Sequence, residues 1–88
     1  MGYIVKYSER AMKILRKMDS YDRAHIKRWI EKNLIGCLEP RIHGKNLVGN
    51  QSGMWRYRVG NYRVIADIND NEIIILIVKI GHRKEIYR

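Results

Sequence analysis

Residues 55–66 restrict the fold of this chain more than any other stretch of its sequence. Apolar and basic residues alternate on both sides of Gly60 and Asn61, a pair that suits a two-residue turn because both residues tolerate positive φ. The pattern predicts a β-hairpin in which Arg58 lies directly opposite Arg63. Successive side chains of a strand point to opposite faces, so one face of the hairpin is predicted to be apolar. That face carries Trp55, Tyr57, Val59, Tyr62, Val64 and Ala66.

The other face of the predicted hairpin is basic and carries Arg56, Arg58 and Arg63. Side chains directly opposite each other have Cβ atoms about 5 Å apart, where like charges destabilise a sheet. The nearest acidic residues along the chain, Glu39 and Asp67, lie outside the hairpin. We therefore expect an external anion, and phosphate fits best because a guanidinium group binds its oxygens in a bidentate manner. The alternative is a solvated basic face neutralised by a carboxylate that is distant in sequence.

Composition limits the classes of partner. The 88 residues suffice for one domain, and a formal net charge of +9 favours nucleic acid, the ribosome surface or an acidic protein as partner. No apolar run approaches the roughly 20 residues of a membrane-spanning helix, and the N-terminal residues lack the layout of a signal peptide. We therefore expect a cytoplasmic protein without a membrane partner. Cys37 is the only cysteine and His43 has no ligand companion, so neither an intramolecular disulfide nor a metal site is predicted.

The remaining patterns predict an α+β domain. Residues 2–7 alternate as a first strand, Ser8 and Asp19 are placed to cap two helices, and Gly36 is placed to end the second helix, predicted over residues 21–34. Residues 72–80 are apolar on both faces, which is typical of a central strand, and a polar tail follows over residues 81–88. The predicted order is β-α-α-β-β-β, with a helical hairpin packed on one face of a mostly antiparallel four-stranded sheet.

The connection over residues 36–53 is long and has little periodicity, which is typical of a functional or mobile segment. Leu47 and Val48 are expected to hold it against the core. Arg41, His43 and Lys45 add positive charge to the segment. It could therefore line a groove beside the hairpin.

Two stretches of the sequence resemble the RelE toxins of type II toxin–antitoxin systems. They read RYRVGNYRVI at residues 56–65 and GHRKEIY at residues 81–87, and the β-α-α order precedes them. The resemblance covers nearly the whole chain and implies a single RelE-like toxin domain over residues 1–88 with a microbial-ribonuclease-like fold. It also implies an mRNA interferase that enters the A site of a 70S-type ribosome, cleaves mRNA there by attack of the ribose 2′-OH without metal or cofactor, and is neutralised by a RelB-type antitoxin.

The same resemblance implies positions for the site residues. Carried over to this sequence, the basic positions of the family's second strand fall on Arg56 and Arg58, the arginine of its third strand on Arg63, and its tail residues on Arg83 and Tyr87. The chain departs from the family pattern in several places, among them arginines where members often have lysines on the second strand and Ala66 where an aromatic residue is frequent. A Leu-basic-Gly motif expected before the hairpin reads LVG at residues 47–49, and the tail is shorter than in the best-known members.

RNA cleavage of this kind needs a base for the 2′-OH, cations beside the phosphorane and a proton for the 5′ oxygen. Arg58, Arg63 and Arg83 suit the cationic role. His82 and Tyr87 are both candidates for proton transfer, and Tyr87 could instead stack on a base of the message. The further predicted contacts with RNA or the ribosome are Arg41, Lys45, Arg56, Arg58, Lys84 and Arg88.

Two functions of other classes stay open beside the nuclease. A ParE-like toxin would share the fold but inhibit a topoisomerase and cut no RNA. A basic binding module would have no enzymatic activity. The tail favours the nuclease, because a pure inhibitor would not need Arg83 and Tyr87 beside the arginines of the hairpin.

Overall fold

A computed structural model describes residues 2–47 and 53–82 of the chain. Within these ranges, two helices and five strands form a mixed sheet in the order β1-β5-β4-β3-β2. Strand β1 runs parallel to β5, and the other neighbours are antiparallel. The elements are β1 (Ile4–Tyr7), α1 (Glu9–Lys17), α2 (Ser20–Asn33), β2 (Gly44–Asn46), β3 (Trp55–Val59), β4 (Tyr62–Asn69) and β5 (Ile74–His82). The predicted α+β class is confirmed.

The sheet has five strands where the sequence predicted four. The additional strand, β2, is three residues long and lies at the edge of the sheet beside β3. Its residues, Gly44, Lys45 and Asn46, include no apolar side chain. A strand this short and polar gives no detectable alternation, so the sequence predicted only a connection there.

The helix ends follow from local side-chain bonds. The Ser8 hydroxyl accepts a hydrogen bond from the Ala11 N–H at 3.1 Å and donates to the Val78 carbonyl at 3.0 Å, so it both caps α1 and ties it to β5. The Asp19 carboxylate caps α2 in the same manner. Gly36 adopts a φ of +78° just beyond α2, a conformation that glycine takes without strain. These predicted caps are therefore confirmed.

Both helices pack on the same apolar face of the sheet. The main core joins Ala11 and Leu15 of α1 and Ile26 and Ile30 of α2 to the sheet. From the sheet it takes Tyr57, Val59, Val64, Ala66, Ile75, Ile77 and Ile80. Trp55, Trp29 and Tyr62 pack against this core and are partly buried. The predicted apolar face of the hairpin is thus confirmed.

The hairpin has the predicted register. Arg58 pairs with Arg63, and the pairs on either side follow the same two-residue turn. Strand β5 starts later than predicted, because Asn69 binds the backbone N–H of Glu72 and Ile73 takes a φ of +57°, which keeps both residues in the turn. It also continues through His82, so the first two residues of the predicted tail belong to the sheet. None of the helices in the described ranges is long and apolar enough to cross a membrane.

Candidate nucleic-acid interface

The face of the sheet opposite the helices collects cations from four strands. Residues paired directly across neighbouring strands share a face. One row places Lys45 beside Arg56, Arg56 beside Ile65, and Ile65 beside Lys79. The next row places Arg63 between Arg58 and Gly81. We call this surface the basic face, and its members are Lys45, Arg56, Arg58, Arg63 and Lys79.

Arg63 is the residue of the basic face with the most unusual environment. Only 3% of the surface of Arg63 is exposed, and no other charged residue in the described part of the chain is buried. Its Nε atom is buried and has no hydrogen-bond partner among the described residues. Burial without an acceptor is unfavourable for any polar group and most unfavourable for a charged one. The surroundings of Arg63 therefore suit the binding of an anion.

Arg58 completes a pair of guanidinium groups with Arg63. It lies directly opposite Arg63 and is exposed. On the other side, Arg63 faces Gly81, which contributes no side chain. No carboxylate within residues 2–47 and 53–82 accepts a hydrogen bond or forms an ion pair with Arg58 or Arg63. In this part of the chain, the two cations are thus not neutralised by a carboxylate distant in sequence.

A groove of about 350 Å³ lies beside Arg58. It is lined by Ile42, His43, Gly44, Lys45, Arg56 and Arg58. The prediction that the connection between α2 and β3 lines a groove beside the hairpin is therefore confirmed for His43 and Lys45. Leu47 is buried as expected, but it packs with Ile65 in a second apolar cluster on this face rather than in the main core. Val48 lies outside the described residues.

Arg41 does not join the basic face. Its two terminal nitrogens bind the two oxygens of Asp70, each at 3.0 Å, and its guanidinium lies 5.7 Å from the ring centroid of Trp55, on the helix side of the sheet. Tyr3 also donates to Asp70, at 2.6 Å. The hydrogen bonds from Arg41 and Tyr3 hold the pKa of Asp70 below its usual range, and the bond from Arg41 has the larger effect. We refer to Tyr3, Arg41 and Asp70 as the Asp70 cluster.

His82 lies at the same end of the sheet as Arg63 but on the helix side. It pairs with Tyr62, and their rings meet edge to face with centroids 5.6 Å apart. The Tyr62 hydroxyl donates to Asp22 of α2 at 2.9 Å, which fixes this pair against the helix. The structure therefore brings Arg56, Arg58, Arg63 and Lys45 together and does not bring His82 with them. Arg83, Lys84, Tyr87 and Arg88 lie outside the described residues.

The sequence did not point to Lys79 or Ile42 as parts of this surface. The face of Lys79 depends on the length of the turn before β5 and on a register shift between Ile65 and Ala66, neither of which the sequence specifies. Ile42 precedes β2, which the sequence did not predict as a strand. Within the described residues, no group of three His, Cys, Asp or Glu side chains is arranged to hold a metal ion.

Comparison with known proteins identifies the family. Residues 5–87 match the family model described as the ParE toxin of the type II toxin–antitoxin system parDE. The chain belongs to this toxin family, within the RelE/ParE superfamily. It is 31% identical to the mRNA interferase toxin RelE of Escherichia coli (strain K12) over 91 residues, which cover 99% of this chain and 92% of that protein. It is 30% identical to the toxin RelG of Mycobacterium tuberculosis over 88 residues, which cover 100% and 99% of the two chains.

Solved structures of toxin–antitoxin complexes have the same fold. The RelBE2 complex of Mycobacterium tuberculosis contains a chain with a TM-score of 0.84 and 26% identity, covering 97% of this chain and 95% of the other. The intact RelBE complex of Escherichia coli gives a TM-score of 0.70 at 24% identity, with 92% and 96% covered. The resemblance to RelE toxins predicted from the two sequence motifs is therefore confirmed. The chain is a RelE-like toxin of a type II toxin–antitoxin system.

Proposed function

We propose that this toxin is an endoribonuclease that cleaves mRNA in the ribosomal A site. The observation that carries the proposal is Arg63, a buried guanidinium without an acceptor in the described chain, held opposite the exposed Arg58. The naming of relatives that are 31% identical as mRNA interferases supports the reaction class. A substrate held on the ribosome requires an enzyme that acts in the cytoplasm.

The arginine pair suits the charge that develops during RNA cleavage. The 2′ oxygen attacks the adjacent phosphorus as its proton leaves, the new P–O bond forms, and the bond to the 5′ oxygen breaks as that oxygen takes a proton. Negative charge grows on the non-bridging oxygens of the phosphorane between these events. Arg58 and Arg63 would donate to those oxygens, and Arg63 is held by β4 before the substrate arrives, so little reorganisation is needed. Arg83 is proposed as a third donor.

For proton transfer we propose Tyr87 rather than His82. His82 pairs with Tyr62 on the helix side of the sheet, whereas Arg58 and Arg63 lie on the other side. A general base must come within hydrogen-bond reach of the 2′-OH, and this placement of His82 does not favour such contact with a phosphate bound between the two arginines. By resemblance to the RelE toxins, Tyr87 is the remaining candidate for proton transfer.

The rest of the basic face would hold the message and the ribosome. Lys45, Arg56 and Lys79 lie in one row beside the arginine pair and provide charge for phosphate contacts that do not depend on base sequence. A net charge of +9 would also favour an acidic protein partner. We propose a RelB-type antitoxin in this role, because several of the similar solved structures are toxin–antitoxin complexes of the RelBE type.

Mapping of RNA ends tests the proposal. Purified chain is incubated with an mRNA in the presence and absence of ribosomes programmed with that mRNA, and the cut ends are located and their termini identified. We expect cleavage within the A-site codon only when ribosomes are present, with a 2′,3′-cyclic phosphate or the 3′-phosphate derived from it. Binding to programmed ribosomes without any cut would instead favour a basic binding module that has no enzymatic activity.

The matching family model favours one further candidate, because its description refers to parDE toxins. In that case the chain would inhibit a topoisomerase and cut no RNA. A supercoiling assay with purified bacterial topoisomerases, run on the same preparation, distinguishes the two functions. Inhibition there, together with intact mRNA on programmed ribosomes, would replace the nuclease by the topoisomerase inhibitor.

A further inference from the structure

The groove beside Arg58 has two unlike walls. Lys45, Arg56 and Arg58 of β2 and β3 form the cationic wall. Ile42 and His43, which directly precede β2, form the other. Ile42 is 67% exposed, so it adds little to the core and presents an apolar side chain beside three cations. A cavity with this combination suits a ligand that carries both a phosphate and a flat apolar group.

His43 is held in place although it is exposed. Its ring meets the edge of Trp29, with centroids 6.3 Å apart. Trp29 in turn contacts Tyr57 at 5.5 Å, and Tyr57 is fully buried and donates a hydrogen bond to the Pro40 carbonyl. The imidazole ring is therefore connected to the core through two aromatic contacts. An aromatic ring that is already oriented before binding makes a favourable stacking surface for a base.

Gly44 sets the position of this wall. A Cβ atom at residue 44 would lie 2.3 Å from the Arg56 carbonyl oxygen and 2.9 Å from the Trp55 ring, distances that no side chain tolerates. Only glycine therefore allows β2 to approach β3 this closely. His43, directly before Gly44 in the chain, lines the groove together with Lys45 and Arg56 of the paired strands.

We infer that the groove is a nucleotide subsite, in which Ile42 and His43 contact a base of single-stranded RNA while Lys45, Arg56 and Arg58 bind its phosphates. The inference rests on the proposed function. Arg58 belongs both to the groove and to the pair with Arg63. The nucleotide in the groove is therefore the neighbour of the phosphate that is cut. Unstacked bases of single strands are bound in proteins by this combination of ring contacts and cations. The subsite makes Ile42 and His43 specificity-determining residues, since they meet a base and not the backbone.

The test measures single-turnover cleavage on ribosomes programmed with messages that differ only in the A-site codon and its neighbours. The variants are Ile42→Ala, His43→Ala and His43→Phe. The matched controls are Ile35→Ala and His25→Ala, which alter an exposed isoleucine and an exposed histidine away from this groove. Thermal unfolding of each variant checks that the fold is kept, and Ile42→Ala remains informative if loss of the Trp29 contact unfolds His43→Ala.

We expect Ile42→Ala and His43→Ala to lower cleavage about tenfold, or to change the ratio of rates between codons by that factor, which is the usual size of one base-stacking contact. His43→Phe keeps a ring and should recover most of the rate with an altered codon ratio. Ile35→Ala and His25→Ala should match the wild type. The subsite is wrong if the Ile42 and His43 variants behave as these controls do, or if His43→Phe recovers nothing. Wild-type chain that cuts no RNA would instead overturn the proposed function itself.

Discussion

Arg41 and Arg63 occupy opposite kinds of environment on one small sheet. The side chain of Arg41 is 45% exposed, yet it has a bidentate carboxylate partner in Asp70. Arg63 is only 3% exposed, yet its buried Nε has no partner in the described chain. A partner stabilises a buried charge far more than an exposed one. The exposed Arg41 therefore has a carboxylate partner, although the pair adds little to stability. The buried Arg63 has no such partner in the described chain, although a partner would stabilise it more.

A shortage of acidic residues does not explain why Arg63 lacks a carboxylate partner in the described chain. The chain has nine Asp and Glu, and Asp67 even lies on the same face of the sheet as Arg63, in a different row from the arginine pair. Residues at binding sites commonly sacrifice stability in this manner, since a group that is satisfied internally cannot bind the ligand. The arginine pair therefore keeps its charge available for a ligand, whereas Arg41 has an internal partner in the Asp70 cluster.

The largest effect is expected from removing the unpaired arginine. Arg63→Ala should lower single-turnover cleavage by about 10²–10³-fold, because loss of one preorganised donor to a transition-state oxyanion costs about 3 to 4 kcal/mol. Arg41→Ala removes an arginine of the other kind and should cleave at nearly the wild-type rate. Rates on programmed ribosomes measure both. Equal losses in the two variants would mean that the contrast between the two sites has no functional meaning.

The two candidates for proton transfer can be compared by substitution. Tyr87→Phe should lower the rate of cleavage by about 10²-fold with little change in ribosome affinity, since general acid–base catalysis contributes at least this factor. His82→Gln should have a mild effect, because His82 lies on the helix side. Single-turnover rates and ribosome affinities of the two variants provide the check. A larger loss of rate in His82→Gln than in Tyr87→Phe would reverse the assignment.

Giving the arginine pair a carboxylate should exchange activity for stability. In Arg58→Glu, a carboxylate lies directly opposite Arg63, and such a cross-strand pair stabilises a sheet by about 0.2–1 kcal/mol. The free energy of unfolding in urea should rise while cleavage is lost. Arg58→Ala is the control that removes the repulsion without adding a partner, so it should be the less stable of the two variants. Arg58→Glu that is less stable than the wild type would show that Arg63 is already neutralised.

The smallest effect is expected at the Asp70 cluster and depends on pH. The pKa of Asp70 is lowered in the folded chain, so its contribution to stability is present above the unfolded value near 3.9 and is lost as pH falls through the lower folded value. Asp70→Asn should therefore unfold at a slightly lower temperature than the wild type at pH 7, and the two should converge in acid. Cleavage at neutral pH should be unchanged. A difference in unfolding temperature that persists at low pH would assign the effect to another cause.

The parts of the fold that the sequence predicted are those fixed by local chemistry. A two-residue turn at Gly60 and Asn61 sets the whole hairpin register, and it therefore places Arg58 opposite Arg63 without further information. The Ser8 and Asp19 caps likewise act within three residues of themselves. The family resemblance was also accessible, because one of its two motifs, residues 56–65, coincides with this hairpin.

What the sequence could not predict depends on distant pairing. The partner of Arg41 is 29 residues away along the chain, and no local pattern links the two. The face of Lys79 follows from the register shift at Ile65 and Ala66, and the face of His82 from the continuation of β5 beyond Gly81. Each of these features decides which residues belong to the candidate site. The arginine pair was therefore predictable and its surroundings were not.

The parallel pairing of β1 with β5 has a consequence for the synthesis of the protein. Ile4 pairs with Ile74, so the first strand to leave the ribosome has no place in the sheet until the last strand has been made. At about 5–20 residues per second, the interval is roughly 4–14 s. Strand β4, which carries Arg63, is made near the end of this interval, shortly before its neighbour β5. A nascent chain thus makes its two helices before the strands that carry Arg58, Arg63 and Lys79, so the basic face is completed only after β5 has been made.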